Sequence, residues 1–411
     1  MSRTLEPVVP AARAVASVNA WWAILAGFCA SLVGIGLARF AYSPLLPAII
    51  GAHWFGASVA AYLGAANLAG YLAGALLGRP VAGRIGNVAT LRIMMSLATL
   101  AFFTCAFPVS FVWFFSWRFL SGIAGGALMV LAAPAVLPHV PPSRRGLAGG
   151  IIFMGVGVGV VISGTLVPLL LQRSLQDTWT GLGLISLVLT VIAWSGWPSQ
   201  VAAHVEAVTH HRHAPPSRTL RALYVEYALN AAGWVPHMIF LVDFIARGLG
   251  RGLQVGAEFW VLFGVGATVG PLFAGALADR VGFGRALRLA FVLEIAGVAM
   301  PALGLGGFWL IVSSVVVGAF VTGTVPLVLG RVHELLAHHP AQQGPAWRTA
   351  TVAFAVCQAA AAYGLSFVFA HGGGNYRELF AVGTVAMVLA LVIDVAVGTT
   401  SGRRPGAVAV R

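Results

Sequence analysis

Two arginines inside long apolar runs are the residues best placed to do chemistry: Arg39 within 21–49 and Arg118 within 109–136. A charge at mid-bilayer costs about 2.5–3.5 kcal/mol on insertion scales, so each needs a reason to be there. Arg39 is followed by Tyr42, Pro44 and Pro47. It reads either as an arginine snorkelling outward or pinned to a carbonyl beside a proline kink, or as an anion-binding or coupling group in a cavity. Further along, Glu226, Asn230, Trp234 and His237 recur at i, i+4, i+8 and i+11. At 100° per residue they span an arc of about 80°, the polar stripe that a water-lined cavity requires. An interfacial pair between Glu226 and Arg221, and a hydrogen-bonded packing role for His237, are the plainer alternatives. Asn67 and Tyr71 share a face at i, i+4, and Gln358 stands in a later apolar run. All three could bind a solute or join helices.

Other reactive groups lead less far. His333, Glu334 and His338 approach a metalloprotease pattern, but the second histidine falls at i+5, off the shared helix face. There is no Gly-x-Ser-x-Gly and no phosphate-binding loop, so a membrane-embedded enzyme is the weaker function class. Cys29, Cys105 and Cys357 are far apart, without disulfide or metal spacing. The run 210–213 (His-His-Arg-His) lacks further ligands and reads as a solvated loop. Neither a metal nor a cofactor is expected.

The elements that must position these groups follow from composition. Of 411 residues 59% are apolar and 9% charged, against about 25% charged in a soluble domain. With about 20 residues per span, the apolar runs predict twelve helices: 21–49, 56–77, 88–107, 109–136, 146–171, 181–197, 223–246, 256–277, 286–303, 308–330, 350–370 and 379–398. Small residues at 16–20 precede the first run rather than follow it, so that run is expected to stay as an anchor. All 24 basic residues are arginine; eighteen fall on the side of the two termini, four on the other, and two inside helices. That bias places both termini in the cytoplasm. The net charge of +13 is spread over the loops, so nucleic acid is not an expected partner. The longest connection, 198–222, divides the chain into 1–197 and 223–411. Ala73–Leu76 recurs as Ala274–Leu277, an offset of 201, as parallel repeats would.

The segment Gly275, Asp279, Arg280, Gly282, Arg285 resembles the G-x-x-x-D-R-x-G-x-x-R signature loop of the major facilitator superfamily. The resemblance implies two six-helix bundles and a latch in which these residues gate one conformation. Gly78 stands where the first-half copy would carry the acid. Arg118 with Gly122 and Gly126, and Arg145 leading into Gly155 and Gly159, resemble further motifs of that superfamily. The former implies helix contacts and a role in proton coupling. Many antiporters of the superfamily carry a Gly-Pro pair later on the fifth helix; it is missing, so antiport is not supported by it. Gly36 to Pro47, with Arg39, Phe40 and Tyr42, resembles the opening of the YbfB/YjiJ-type bacterial subfamily.

The expectation is therefore an all-α integral membrane protein of twelve helices in two bundles. It would be a monomer in a bacterial inner membrane, moving a small polar or anionic solute by alternating access with protons as coupling ion. Arg39, Tyr42, Asn67, Tyr71, Arg118, Glu226, Asn230, Trp234, His237 and Gln358 are the candidate binding or coupling residues. A transporter built from inverted repeats is the third alternative, which the central linker and the parallel repeat oppose.

Overall fold

The computed structural model describes residues 20–141, 145–198 and 217–401. The two chain ends, the histidine run and most of the expected 198–222 connection lie outside the described residues. In a bilayer every backbone N–H and C=O must be paired within its own segment, and apolar runs of this length meet that demand as helices. The described chain forms twelve: α1 (Ala20–Gly51), α2 (Ala57–Ile85), α3 (Asn87–Cys105), α4 (Phe111–Val136), α5 (Arg145–Leu171), α6 (Leu175–Ala193), α7 (Arg218–Gly248), α8 (Gly252–Val281), α9 (Phe283–Ala302), α10 (Phe308–Leu335), α11 (Pro340–His371) and α12 (Tyr376–Ser401). Eleven are long and apolar enough to cross a membrane. The other, α9, carries Arg285, Arg288 and Glu294 within twenty residues.

Corresponding pairs pack in each half: α2 on α4 and α8 on α10, α1 on α5 and α7 on α11, α3 on α6 and α9 on α12. The repeat is parallel, and the glycine contacts fix its register. A Cβ on Gly74 would collide with the carbonyl oxygen of Ile123, and one on Gly270 with that of Ala319. Gly122 meets the Asn67 carbonyl and Gly318 the Phe263 carbonyl in the same way. Helices can approach this closely only where side chains are absent. Each first-half residue here maps onto its second-half counterpart at an offset of 196 (74 to 270, 123 to 319, 122 to 318, 67 to 263). The turns agree, because Gly86 (φ 88°) ends α2 and Gly282 (φ 84°) ends α8 in a backbone conformation that glycine tolerates. The 201 offset of Ala73–Leu76 is thus out of register by five residues. The counterpart of Asp279 is Gly83, not Gly78.

The halves meet along α1–α7, α2–α11 and α5–α8. Two of these helices are interrupted where they touch. In α1 a π-helical turn, Leu32–Leu37, and a bend at 38–41 precede Tyr42–Gly51. Pro44 and Pro47 lack the N–H that would continue the ladder. In α7 the helix breaks at Trp234, just before Pro236. The straight-helix arc drawn from Glu226 to His237 does not survive that break.

Candidate functional site

The two interruptions lie side by side at the centre, joining the halves through Ser43, whose hydroxyl donates to the Met238 carbonyl. The bend frees the Ala38 carbonyl, and Arg118 of α4 caps it, donating from Nη1 at 2.8 Å. The Arg118 guanidinium lies 4.4 Å from the centre of the Tyr42 ring, whose hydroxyl donates to the Ala60 carbonyl at 2.6 Å. Asn67 of α2 donates to the Arg118 carbonyl and the Ser121 hydroxyl at 3.3 and 3.4 Å. It braces α2 against α4.

Arg39 occupies the same centre. Its guanidinium lies 5.3 Å from the Phe40 ring, 5.1 Å from Tyr71 and 5.5 Å from Trp234. Its Nε and Nη2 donate to the Met238 sulfur at 3.2 and 3.1 Å. Arg39 is 8% exposed and Arg118 3%. Among the described residues neither has a carboxylate within ion-pair distance; the three ion pairs are Asp243–Arg247, Asp394–Arg288 and Glu334–Arg331. Both arginines line one cavity of about 10 Å³, with Tyr42, Ser43, Leu68 and Met238. Arg118 Nε, Trp234 Nε1 and Gln358 Nε2 are among the buried donors that have no hydrogen-bond partner among the described residues. Phe354, one turn before Gln358 on α11, packs against Trp234 with ring centres 5.9 Å apart. Two desolvated cations, an aromatic wall and spare donors suit an anion with a planar apolar body.

Arg39, Tyr42, Asn67, Tyr71, Arg118 and Trp234 are thus brought together. The rest of the α7 stripe turns elsewhere. Asn230 donates to Glu294 Oε2 of α9 at 2.6 Å. His237 shares a 2.8 Å hydrogen bond with the Ser313 hydroxyl of α10, which donates to the Gly297 carbonyl. The Phe380 ring packs edge-on against this imidazole, which is fully buried inside the second bundle. Glu226 is buried near the start of α7, four residues before Asn230. Glu294 is fully enclosed.

At the α8–α9 turn the Phe283 N–H donates to Glu334 Oε1 at 3.1 Å, and Arg331 holds the other oxygen at 2.9 Å. Gly275 has open space beside it, and Arg280 and Arg285 are exposed. The Asp279 side chain lies outside the described atoms. Glu334, read from sequence beside His333, holds this turn.

Sequence reasoning placed none of Phe40, Met238 and Glu294 at a site. Phe40 and Met238 look like core residues in any apolar run. Glu294 carried a signal, an acid within an apolar stretch.

Comparison with known proteins places these features. A family model described as an uncharacterised MFS-type transporter YbfB matches residues 31–395. A gallate transporter of Pseudomonas putida is 26% identical over 337 residues, covering 70% of this chain and 68% of that protein. The fold matches the xylose transporter XylE of E. coli in a partially occluded inward-open conformation (TM-score 0.70, 12% identity, 95% of this chain and 99% of that one). It also matches the nucleoside transporter NupG (TM-score 0.71, 13% identity, 91% and 99%). With twelve helices in two parallel bundles, eleven of them long and apolar enough to cross a membrane, and a family match over most of its length, the chain belongs to the YbfB-type family of the major facilitator superfamily and is a secondary transporter of a small organic solute, not an enzyme.

Proposed function

We propose that the centre between α1, α2, α4 and α7 binds a small organic anion, and that its class is an aromatic carboxylate. The observation that carries this reading is the pair of buried guanidiniums, Arg39 and Arg118, with no carboxylate partner among the described residues. Leaving buried charge uncompensated is costly, and a substrate carboxylate compensates it. The rings of Phe40, Tyr42, Tyr71 and Trp234 supply flat apolar surface for the rest of the solute. The gallate-transporting relative supports the same class.

In this reading the halves 1–197 and 223–411, joined by 198–222, rock about the α1–α7 contact and open the centre to either side in turn. Protons drive the cycle, with Glu226, the acid that belongs to the α7 stripe, as the coupling group. Asn230 and His237 act within the second bundle, and Gln358 adds a donor. Gly275, Asp279, Arg280, Gly282 and Arg285 gate the turn at the end of α8. The 18 to 4 arginine bias supports cytoplasmic termini in a bacterial inner membrane. The protein works as a monomer, without nucleic acid, metal or cofactor.

A thermal-shift screen of purified protein tests the class directly, because a ligand that binds only the folded state raises its melting temperature. Gallate and other aromatic carboxylates are expected to raise it, and xylose and nucleosides to leave it unchanged. A shift by neutral solutes alone overturns the anion assignment.

A further inference from the structure

The Arg39 edge that offers Nε and Nη2 together is the one a guanidinium uses to hold a carboxylate through two parallel hydrogen bonds. Here that edge is taken, with both donors on the Met238 sulfur at 3.2 and 3.1 Å. A thioether is a weak acceptor and no counter-ion, so it satisfies the geometry of a carboxylate without its charge. The same residue is gripped a second time, since Ser43, one turn beyond Arg39, donates to its carbonyl. Met238 lies on α7 of the second half, whereas Arg39 and Ser43 lie on α1 of the first. The neighbouring cavity of about 10 Å³ holds roughly one water. No organic anion fits until a side chain leaves.

We propose that Met238 is a placeholder ligand: its sulfur occupies the carboxylate position on Arg39 in the empty carrier, and the anion must displace it to bind. This rests on the anion reading of Arg39 and adds a specificity-determining residue to it. An unbranched side chain with three rotatable bonds can swing aside without moving the helix. Displacement removes one of the two ties that α1 makes to Met238, so occupancy of the site and release of that contact become one event. A solute without an anionic group competes poorly even with a thioether and leaves both ties in place. Selectivity thus arises from the competitor as well as from the arginine.

The test is gallate binding to the purified full-length protein by titration calorimetry, with three variants. Met238→Leu keeps the volume and removes the acceptor. It is expected to bind gallate about five-fold more tightly, roughly 1 kcal/mol, because Arg39 no longer has an internal partner. A purely structural methionine gives the opposite sign or no change. Met238→Glu supplies a permanent carboxylate to Arg39 and is expected to weaken gallate binding at least a hundred-fold, to the level of Arg39→Gln. Unchanged or weaker binding by Met238→Leu, with Arg39→Gln still defective, overturns the placeholder while leaving the anion site standing. Equal binding by wild type and Arg39→Gln overturns the site reading, and the placeholder with it.

Discussion

Gly157 on α5 faces Thr268 on α8 across the contact between the halves. A Cβ added there would lie 2.5 Å from Thr268 Oγ1, 2.6 Å from its backbone nitrogen and 2.7 Å from its Cα. Rotating the threonine relieves only the first of these, so the helices must part by roughly 1 Å to reach ordinary contact distances of about 3.5–4 Å. Overpacking of this kind costs about 1–3 kcal/mol. Because the contact joins bodies that move apart during transport, the cost falls on one conformation and becomes a population shift of roughly 5- to 150-fold. Closer to the non-terminal end, Trp260 Nε1 donates to the Ser163 hydroxyl at 3.1 Å across the same interface, so α5 and α8 are expected to pivot there. The α5 and α8 ends near the chain termini are expected to separate. Gly149 and Gly275 mark those ends, and a Cβ at either position would meet no atom within 4 Å, so both accept labels. Spin-label distances between cysteines at 149 and 275, with Cys357 replaced by alanine, are predicted to lengthen in Gly157→Ala. Gly74→Ala, whose clash lies within one bundle, is predicted to lower the melting temperature and leave those distances alone. Unchanged or shorter 149–275 distances in Gly157→Ala would refute the rigid-bundle reasoning.

Two further outcomes are expected. Glu226→Gln is predicted to abolish accumulation of gallate driven by a pH gradient in proteoliposomes while leaving gallate exchange at equal pH; accumulation equal to wild type removes Glu226 from proton coupling. Gly282→Ala and Gly86→Ala each force alanine into a positive φ (84° and 88°), at about 1 kcal/mol or more. Both should lower the melting temperature by a similar few degrees; a large effect at one position alone contradicts the equivalence of the two turns.

The twelve helices were legible because lipid imposes a strong, simple demand on segment length and apolarity. The register of the repeat was not. It is carried by single glycines, such as Gly74 with Gly270 and Gly122 with Gly318, which touch carbonyls on a facing helix. Ala73–Leu76 and Ala274–Leu277 share four letters but not a place in the fold. Arg39 and Arg118 stood out because charge in lipid is rare, and the structure places both at one small cavity. The α7 stripe divided because periodicity assumes a continuous helix, and α7 breaks at Trp234. Asn230 and His237 consequently reach Glu294 and Ser313 inside the second bundle. Met238 gave no sign in the sequence, since its role comes from the partner across the interface and not from its own type.

The central claim is that Arg39 and Arg118 sit buried without carboxylate partners because the solute supplies the negative charge. Gallate binding to purified wild type, Arg39→Gln and Arg118→Gln tests it most directly. Charge-assisted hydrogen bonds of about 1.5–3 kcal/mol each predict that a variant losing two of them binds at least a hundred-fold more weakly, with melting temperatures showing each protein folded. Folded variants that bind gallate as tightly as wild type would contradict the account.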